Sequence, residues 1–247
     1  MSKPIWDGIL AEFPDYPAPK IFESDHWLER ASADVARDLA SAECLLPPPS
    51  LVHEYPIPIL CAVLQATHSQ QVRVLDFGGG LGNTYAQVRS SIPKNTVIHY
   101  KIVESRKLCL AGGGLFADHP ELSFCETLPD ESYDVVHAGA SLHYVRDWRS
   151  MLQRFVQMGK WIVLSGLTAG DIPTFVTRQN YYGQFVPVWF WNVDEVISAA
   201  AKQGAKLVYK SLYASEYWGE FRELPMDNFP EGYRLNRKCN LIFCKMT

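Results

Sequence analysis

The stretch Val72-Arg73-Val74-Leu75-Asp76-Phe77-Gly78-Gly79-Gly80-Leu81-Gly82-Asn83 constrains this chain more than any other. Val72, Val74 and Leu75 make a short apolar run bounded by a glycine cluster, the pattern of a buried strand. Thr84-Tyr85-Ala86-Gln87-Val88-Arg89 follows and reads as the opening turns of a helix. A strand that runs through glycines into a helix is a ligand-binding device. Glycine lets the backbone come close to a ligand and adopt positive φ. The helix N-terminus offers unpaired N–H groups and the positive end of a dipole.

Spacing limits the ligand. The dinucleotide fingerprint G-x-G-x-x-G/A is met at Gly78 and Gly80 but fails at its third position, where Asn83 stands. Asn83 therefore counts against a nicotinamide-dependent oxidoreductase. A P-loop needs Gly-Lys-Ser/Thr, and no Lys follows these glycines. What fits is Asp-x-Gly-x-Gly-x-Gly, read as Asp76, Gly78, Gly80 and Gly82. Thr96 to Val103 is β-branched and reads as the next strand, closing with Glu104. An acidic residue ending the second strand, about twenty positions past the glycines, is where a βαβ nucleotide fold binds ribose hydroxyls.

Composition excludes several classes. A chain of 247 residues holds one α/β domain with appendages, or two small domains at most. Net charge is −4, with no basic run, so a nucleic-acid partner is not expected. No apolar stretch approaches a membrane span, and Met-Ser-Lys-Pro-Ile-Trp-Asp lacks the apolar core of a secretion signal. The six cysteines show no C-x-x-C spacing, and several sit in apolar runs. They read as buried small hydrophobes in a reducing compartment, so a cytoplasmic protein is expected.

Along the chain, residues 1–22 are dense in Pro and aromatics and are expected to lie on the body as an ordered arm. Ser24 reads as an N-cap for a helix whose apolar face is Leu28, Ala31, Val35 and Leu39. Pro47-Pro48-Pro49 breaks it, and a second helix starts at Pro56 or Pro58 and runs to about Thr67. Residues 1–70 are thus expected to be an arm and helical cap ahead of a ligand-binding domain at 71–247. Further strands are read at Leu122–Cys125, Tyr133–Ala138, Trp161–Leu164, Lys206–Tyr213 and Cys239–Lys245, the last two antiparallel. Gly112-Gly113-Gly114 is expected to end or kink the helix after Glu104. Trp148, Met151, Leu152, Phe155 and Val156 mark an amphipathic helix stopped by Gly159. Asn192 and Glu195 suggest a capping box for a helix from Val193 to Lys202. Thr168 to Trp191 reads as a long aromatic connection, and loops of that length are uncommon unless functional. It is expected to be a substrate lid.

Leu75-Asp76-Phe77-Gly78-Gly79-Gly80-Leu81-Gly82, Val103-Glu104, and Tyr133-Asp134-Val135-Val136 running into Ser141-Leu142-His143-Tyr144 together resemble the class I S-adenosylmethionine (SAM)-dependent methyltransferases. The likeness covers about Val72 to Lys245. It implies a Rossmann-like α/β sheet of seven strands, the last antiparallel, with helices on both faces. Tyr55-Pro56-Ile57-Pro58-Ile59-Leu60 and Thr177-Arg178-Gln179-Asn180 further resemble a small methyltransferase family associated with bacterial surface-polysaccharide gene clusters. That family commonly has Gln where this chain has His143. The resemblance implies that Gly78, Gly79, Gly80 and Gly82 pack against the methionine and ribose of SAM, with Asp76 orienting the loop or meeting the ammonium. Glu104 takes the ribose hydroxyls, Cys125 and Glu126 meet the adenine, and Ala140 and Ser141 line the methionine end. S-adenosylhomocysteine (SAH) is the implied product.

Methyl transfer to an alcohol oxygen needs alignment and a base. His143 is the candidate base, since it follows the fourth strand and the ordinary imidazole pKa lies near the operating pH. His137, inside an apolar strand, reads instead as a hydrogen-bonded core residue. His53 and Glu54 are lesser candidates from the cap. On the substrate side stand Tyr144 and, in the aromatic connection, Tyr181, Tyr182 and Trp189 as walls with Arg178 and Gln179 as polar anchors. The expected acceptor is a small molecule, a sugar or glycan precursor. No His/Cys/Asp cluster has metal-ligand spacing, so no metal is expected. The rival readings are a non-catalytic SAM-binding partner subunit and a nicotinamide enzyme.

Overall fold

A computed structural model describes residues 4–15, 20–43, 55–68, 71–93, 96–181, 183–213, 215–217 and 220–246. The chain forms β1 (Trp6–Leu10), α1 (Asp25–Glu43), α2 (Ile57–His68), β2 (Val72–Phe77), α3 (Asn83–Ser91), β3 (Ile98–Val103), α4 (Arg106–Leu115) and β4 (Leu122–Cys125). It continues with β5 (Tyr133–Gly139), α5 (Trp148–Met158), β6 (Gly159–Leu167), β7 (Ala169–Gly170), β8 (Phe175–Tyr181), β9 (Gln184–Asn192) and α6 (Val193–Lys202). It closes with β10 (Ala205–Tyr213), β11 (Ser215–Tyr217), β12 (Glu220–Arg222) and β13 (Lys238–Lys245).

The main sheet has seven strands in the order β10-β13-β6-β5-β2-β3-β4, and β13 runs antiparallel to both of its neighbours. The expected α/β sheet is therefore present. Its central strands are apolar on both sides because helices cover both faces. Leu75, Val136, Ile162 and Leu164 pack with α5 and α6 on one side. Val74, Tyr100, Ile102 and Val135 pack with α1, α2, α3 and Phe116 on the other.

The N-terminal segment is built into the body. Ser24 Oγ accepts from the Trp27 N–H at 3.3 Å and caps α1. Val35 of α1 and Ile57, Cys61 and Leu64 of α2 share one core cluster with β2 and β3. β1 pairs antiparallel with β8, bringing the arm into a second sheet of order β1-β8-β9-β7.

That second sheet replaces the expected lid loop. β8 and β9 form a hairpin in register from Phe175↔Phe190 to Tyr181↔Gln184. The capping box is also half-formed. Asn192 Oδ1 accepts from the Asp194 N–H at 3.0 Å, but Glu195 pairs with Arg149 and Thr174 takes the Asn192 N–H. Gly112, Gly113 and Gly114 lie in the last turn of α4, which ends at Leu115, so the helix stops one residue past the glycines expected to end it.

Those glycines differ in purpose. A Cβ at Gly112 would lie 2.4 Å from the Phe124 ring, whereas nothing lies within 4 Å of one at Gly113. Gly112→Ala is expected to cost about 1–3 kcal/mol through overpacking. Gly113→Ala is expected to add about 0.5–1 kcal/mol by restraining the unfolded chain. Urea midpoints at constant m-value check both signs.

Candidate functional site

The chain leaves β2 for β3 and β4 on one side, then returns to place β5 on the other. Open α/β sheets bind ligands outside the carboxyl ends of the strands at such a reversal. Three loops meet here. The Gly78 N–H donates to Val103 O (3.0 Å), the Glu104 N–H to Cys125 O (3.0 Å), and Ser141 Oγ to Phe77 O (2.6 Å). Gly78 has φ +68, and a Cβ on it would stand 2.5 Å from that of Ser141, so only glycine lets the loops after β2 and β5 close up. Ala140 has φ +50, alone among the described non-glycine residues, and its N–H donates to Ser165 O. Such strain persists where surrounding structure enforces it, which is commonly at a functional site.

Glu104 faces the glycine loop. Its Oε1 accepts from the Gly80 N–H (3.1 Å) and its Oε2 from the Ser105 N–H (3.0 Å). Burial pushes the Glu104 carboxyl up and these two donors pull it back. Gly80, at φ +60, lies under α1, since a Cβ there would be 3.7 Å from the Trp27 ring. Lys107 holds the start of α1 in place through Glu23 O (2.6 Å) and Asp25 (2.8 Å). Cys125 Sγ turns back to Ile102 O, while exposed Glu126 lines a cavity of about 410 Å³ with Arg106, Ser123 and Phe124. A carboxylate with free lone pairs beside a close-approach backbone suits a ligand bearing vicinal hydroxyls.

Asp76 lies beneath this surface, fully buried. Its Oδ2 accepts from the Tyr100 hydroxyl and its Oδ1 lies 2.8 Å from His137 Nδ1. His137 Nε2 is 3.0 Å from Ser165 Oγ, so the ring bridges β5 to β6 in the core, as its place in an apolar strand suggested. A Cβ on Gly79 would meet Asp76 Oδ2 at 2.6 Å, so the carboxylate fills the space under the loop.

Beyond β5, His143 lies in a 3₁₀ turn (Leu142–Tyr144) and is 3 % exposed. Burial, aided by the Lys238 charge, drives its pKa well below 6.5. The expected pKa near the operating pH is thus corrected downward. The Tyr144 hydroxyl donates to Gln179 Oε1 at 2.9 Å, and Phe22 touches Tyr144 and Tyr181, each with ring centroids 5.3 Å apart. Strand alternation separates the remaining hairpin candidates. Arg178 and Trp189 lie on the opposite face, where Arg178 pairs with Asp7 and Trp189 stacks on Phe13. Tyr182, His53 and Glu54 lie outside the described residues. Trp27, Phe22, Tyr55 and Lys238 were not read from the sequence as site residues, because only long-range packing brings them to this edge. No group of three or more potential metal ligands occurs among the described residues, and no described helix is long and apolar enough to cross a membrane.

The fold is that of the class I methyltransferases. No family model matches the sequence, and no curated protein matches it. Solved structures do match in three dimensions. A SAM-dependent methyltransferase from Clostridium acetobutylicum superposes with a TM-score of 0.52 at 9% identity, over 78% of this chain and 91% of its own. The 1,6-didemethyltoxoflavin-N1-methyltransferase of Burkholderia thailandensis, solved with its substrate and SAH, has a TM-score of 0.51 at 14% identity, over 98% and 99%. The N-terminal domain of EvdMO1, solved in the presence of SAH and D-fucose, has a TM-score of 0.50 at 15% identity, over 79% and 84%.

The buried chain of hydrogen bonds has a measurable consequence. His137→Phe leaves a buried carboxylate short of one donor and is expected to cost about 3 kcal/mol or more. Ser165→Ala removes only the outer bond and is expected to cost about 1 kcal/mol. Chemical denaturation of the two variants checks the difference.

Proposed function

We propose that this chain is a SAM-dependent methyltransferase that methylates an oxygen of a small-molecule acceptor, a sugar or glycan precursor. The observation that carries the reading is the Glu104 carboxylate at the end of β3, turned onto the Gly80 N–H of the glycine loop. When bound, SAM supplies an electrophilic methyl on a sulfonium whose thioether leaves without protonation. The residues do the rest. Glu104 accepts from the two ribose hydroxyls with its remaining lone pairs. Gly78, Gly79, Gly80 and Gly82 give the backbone its close approach, and Ala140 and Ser141 line the methionine end. Glu126, with Cys125 behind it, accepts from the adenine amine. Asp76 acts from below, through the loop.

His143 takes the acceptor's proton. Because burial lowers its pKa, the ring is neutral at pH 7 and ready to accept. Tyr144, Gln179, Tyr181 and Phe22 wall the acceptor, and a neighbour solved in the presence of D-fucose supports a sugar among the ligands this fold takes. Arg178 and Trp189, on the far face of the hairpin, have a structural part. A partner subunit that binds SAM without turnover is separated from this reading by product formation. A nicotinamide enzyme is separated by binding NADH in place of SAH.

Glu104→Ala is expected to weaken SAH binding about 10- to 100-fold in calorimetry. Unchanged affinity removes the ribose assignment. His143→Ala is expected to slow turnover about 10²-fold or more with SAH affinity preserved. The same base predicts the pH profile. A lowered pKa keeps the ring deprotonated on both sides of pH 6.5, so the rate holds level there and falls only well below it. An acid limb at or above pH 6.5 overturns the assignment.

A further inference from the structure

Lys238 is the charged group at the ligand-bearing edge that the reading above leaves unused. It opens β13, one place before Cys239, which lies opposite Leu167 at the end of β6. Because β13 runs antiparallel to β6, its first residue stands at the carboxyl edge of the parallel strands, with Glu104 and His143. Lys238 pairs directly with Tyr213 of β10, and residues directly opposite in an antiparallel pair share a face. Tyr213 packs on Tyr55 (5.5 Å between centroids) and Tyr55 on His137 (5.6 Å). The Tyr55 hydroxyl would stand 3.3 Å from a Cβ at Gly166. Lys238 thus heads a row of aromatic rings that leads along the sheet edge to the strand of His137.

Three other charged groups near this edge have partners within the protein. Glu104 accepts from two backbone N–H groups, Asp76 from Tyr100 and His137, and Lys107 reaches Asp25. The Lys238 ammonium, on a half-buried residue, has no ion pair or hydrogen bond among the described residues, and desolvation pulls its pKa from 10.5 to about 8. Its charge reaches His143, whose buried Nδ1 also has no hydrogen-bond partner. An ammonium partly withdrawn from water and without a counter-charge is destabilised. A neutral hydroxyl leaves that charge standing, whereas a carboxylate or phosphate cancels it with a charge-assisted bond.

We propose that the acceptor carries an anionic group, a carboxylate or a phosphate, which seats on Lys238 while the acceptor hydroxyl is presented to His143. The proposal rests on the methyl-transfer reading and names the substrate class of that same site.

The test incubates the protein and methyl-labelled SAM with a small-molecule cell extract, then passes the products over an anion exchanger. The labelled product is expected to be retained. Loss of its charge on treatment with phosphatase and phosphodiesterase identifies a phosphate, and resistance identifies a carboxylate. Lys238→Met is expected to lower product formation at least about tenfold, and Lys238→Arg to stay within about threefold, both with parental SAH affinity. A neutral product, read on the unaltered protein, overturns the anion seat while methyl transfer stands. Turnover by Lys238→Met equal to that of the parent does the same. No labelled product in any fraction overturns both.

Discussion

The buried carboxylate of Asp76 is the interaction on which the rest of the site depends. A charge removed from water must be matched by donors, and these come from neighbouring strands. Tyr100 supplies one from β3 and His137 one from β5, with His137 in turn held by Ser165 of β6. Four adjacent strands are thereby tied on one line, just below the point where the strand order reverses. The glycine loop rests on that line, because Gly79 has no Cβ to collide with Asp76 Oδ2. Aspartate and glycine three positions apart are one device: the first satisfies the core and the second lets the loop lie flat over it.

Everything at the carboxyl edge hangs from those strands. Glu104 ends β3, Ala140 and Ser141 leave β5, and Gly166 in β6 donates to Asn240 Oδ1 of β13. The hairpin beside Tyr144 is mounted separately. The hairpin β8–β9 is clamped by β1, so the first strand of the chain braces the side chains that face Tyr144. Gln179 meets the Tyr144 hydroxyl while its neighbour Arg178 turns to Asp7. One face of the hairpin meets Tyr144 and the other meets Asp7 and Phe13 of the arm.

This division explains what was legible in the sequence. The glycine loop, Glu104 and the strand order show in local pattern because each is set by backbone geometry or by a single element's period. The hairpin does not. Val188 and Phe190 face one core while Trp189 and Trp191 face another, so the expected alternation of apolar and polar residues is absent. Pro187 also argues against a strand, yet β7 covers β9 only at Trp191 and Asn192, leaving the outer edge at Pro187 unpaired. The triple glycine shows where the helix ends but not why glycine is needed there. Gly112 is demanded by Phe124, and the tertiary contact outweighs the helix penalty.

The crevice is also distinguished electrostatically. Burial raises the Glu104 carboxyl and lowers both His143 and Lys238, so it opposes charge on an acid and on two bases at one edge. None of these shifts is visible in residue order, because each arises from helices and strands distant in the chain that exclude water together. Of the three, only Glu104 has side-chain hydrogen-bond partners among the described residues. A site that holds charges in low dielectric without neutralising them binds most strongly the ligand that completes the pairing, since that ligand gains the interaction and also removes the cost of the unpaired charge. On the proposed reading, the partial exclusion of water that makes Lys238 costly in the free protein also makes its pairing selective. A neutral analogue of the same shape would leave that cost in place.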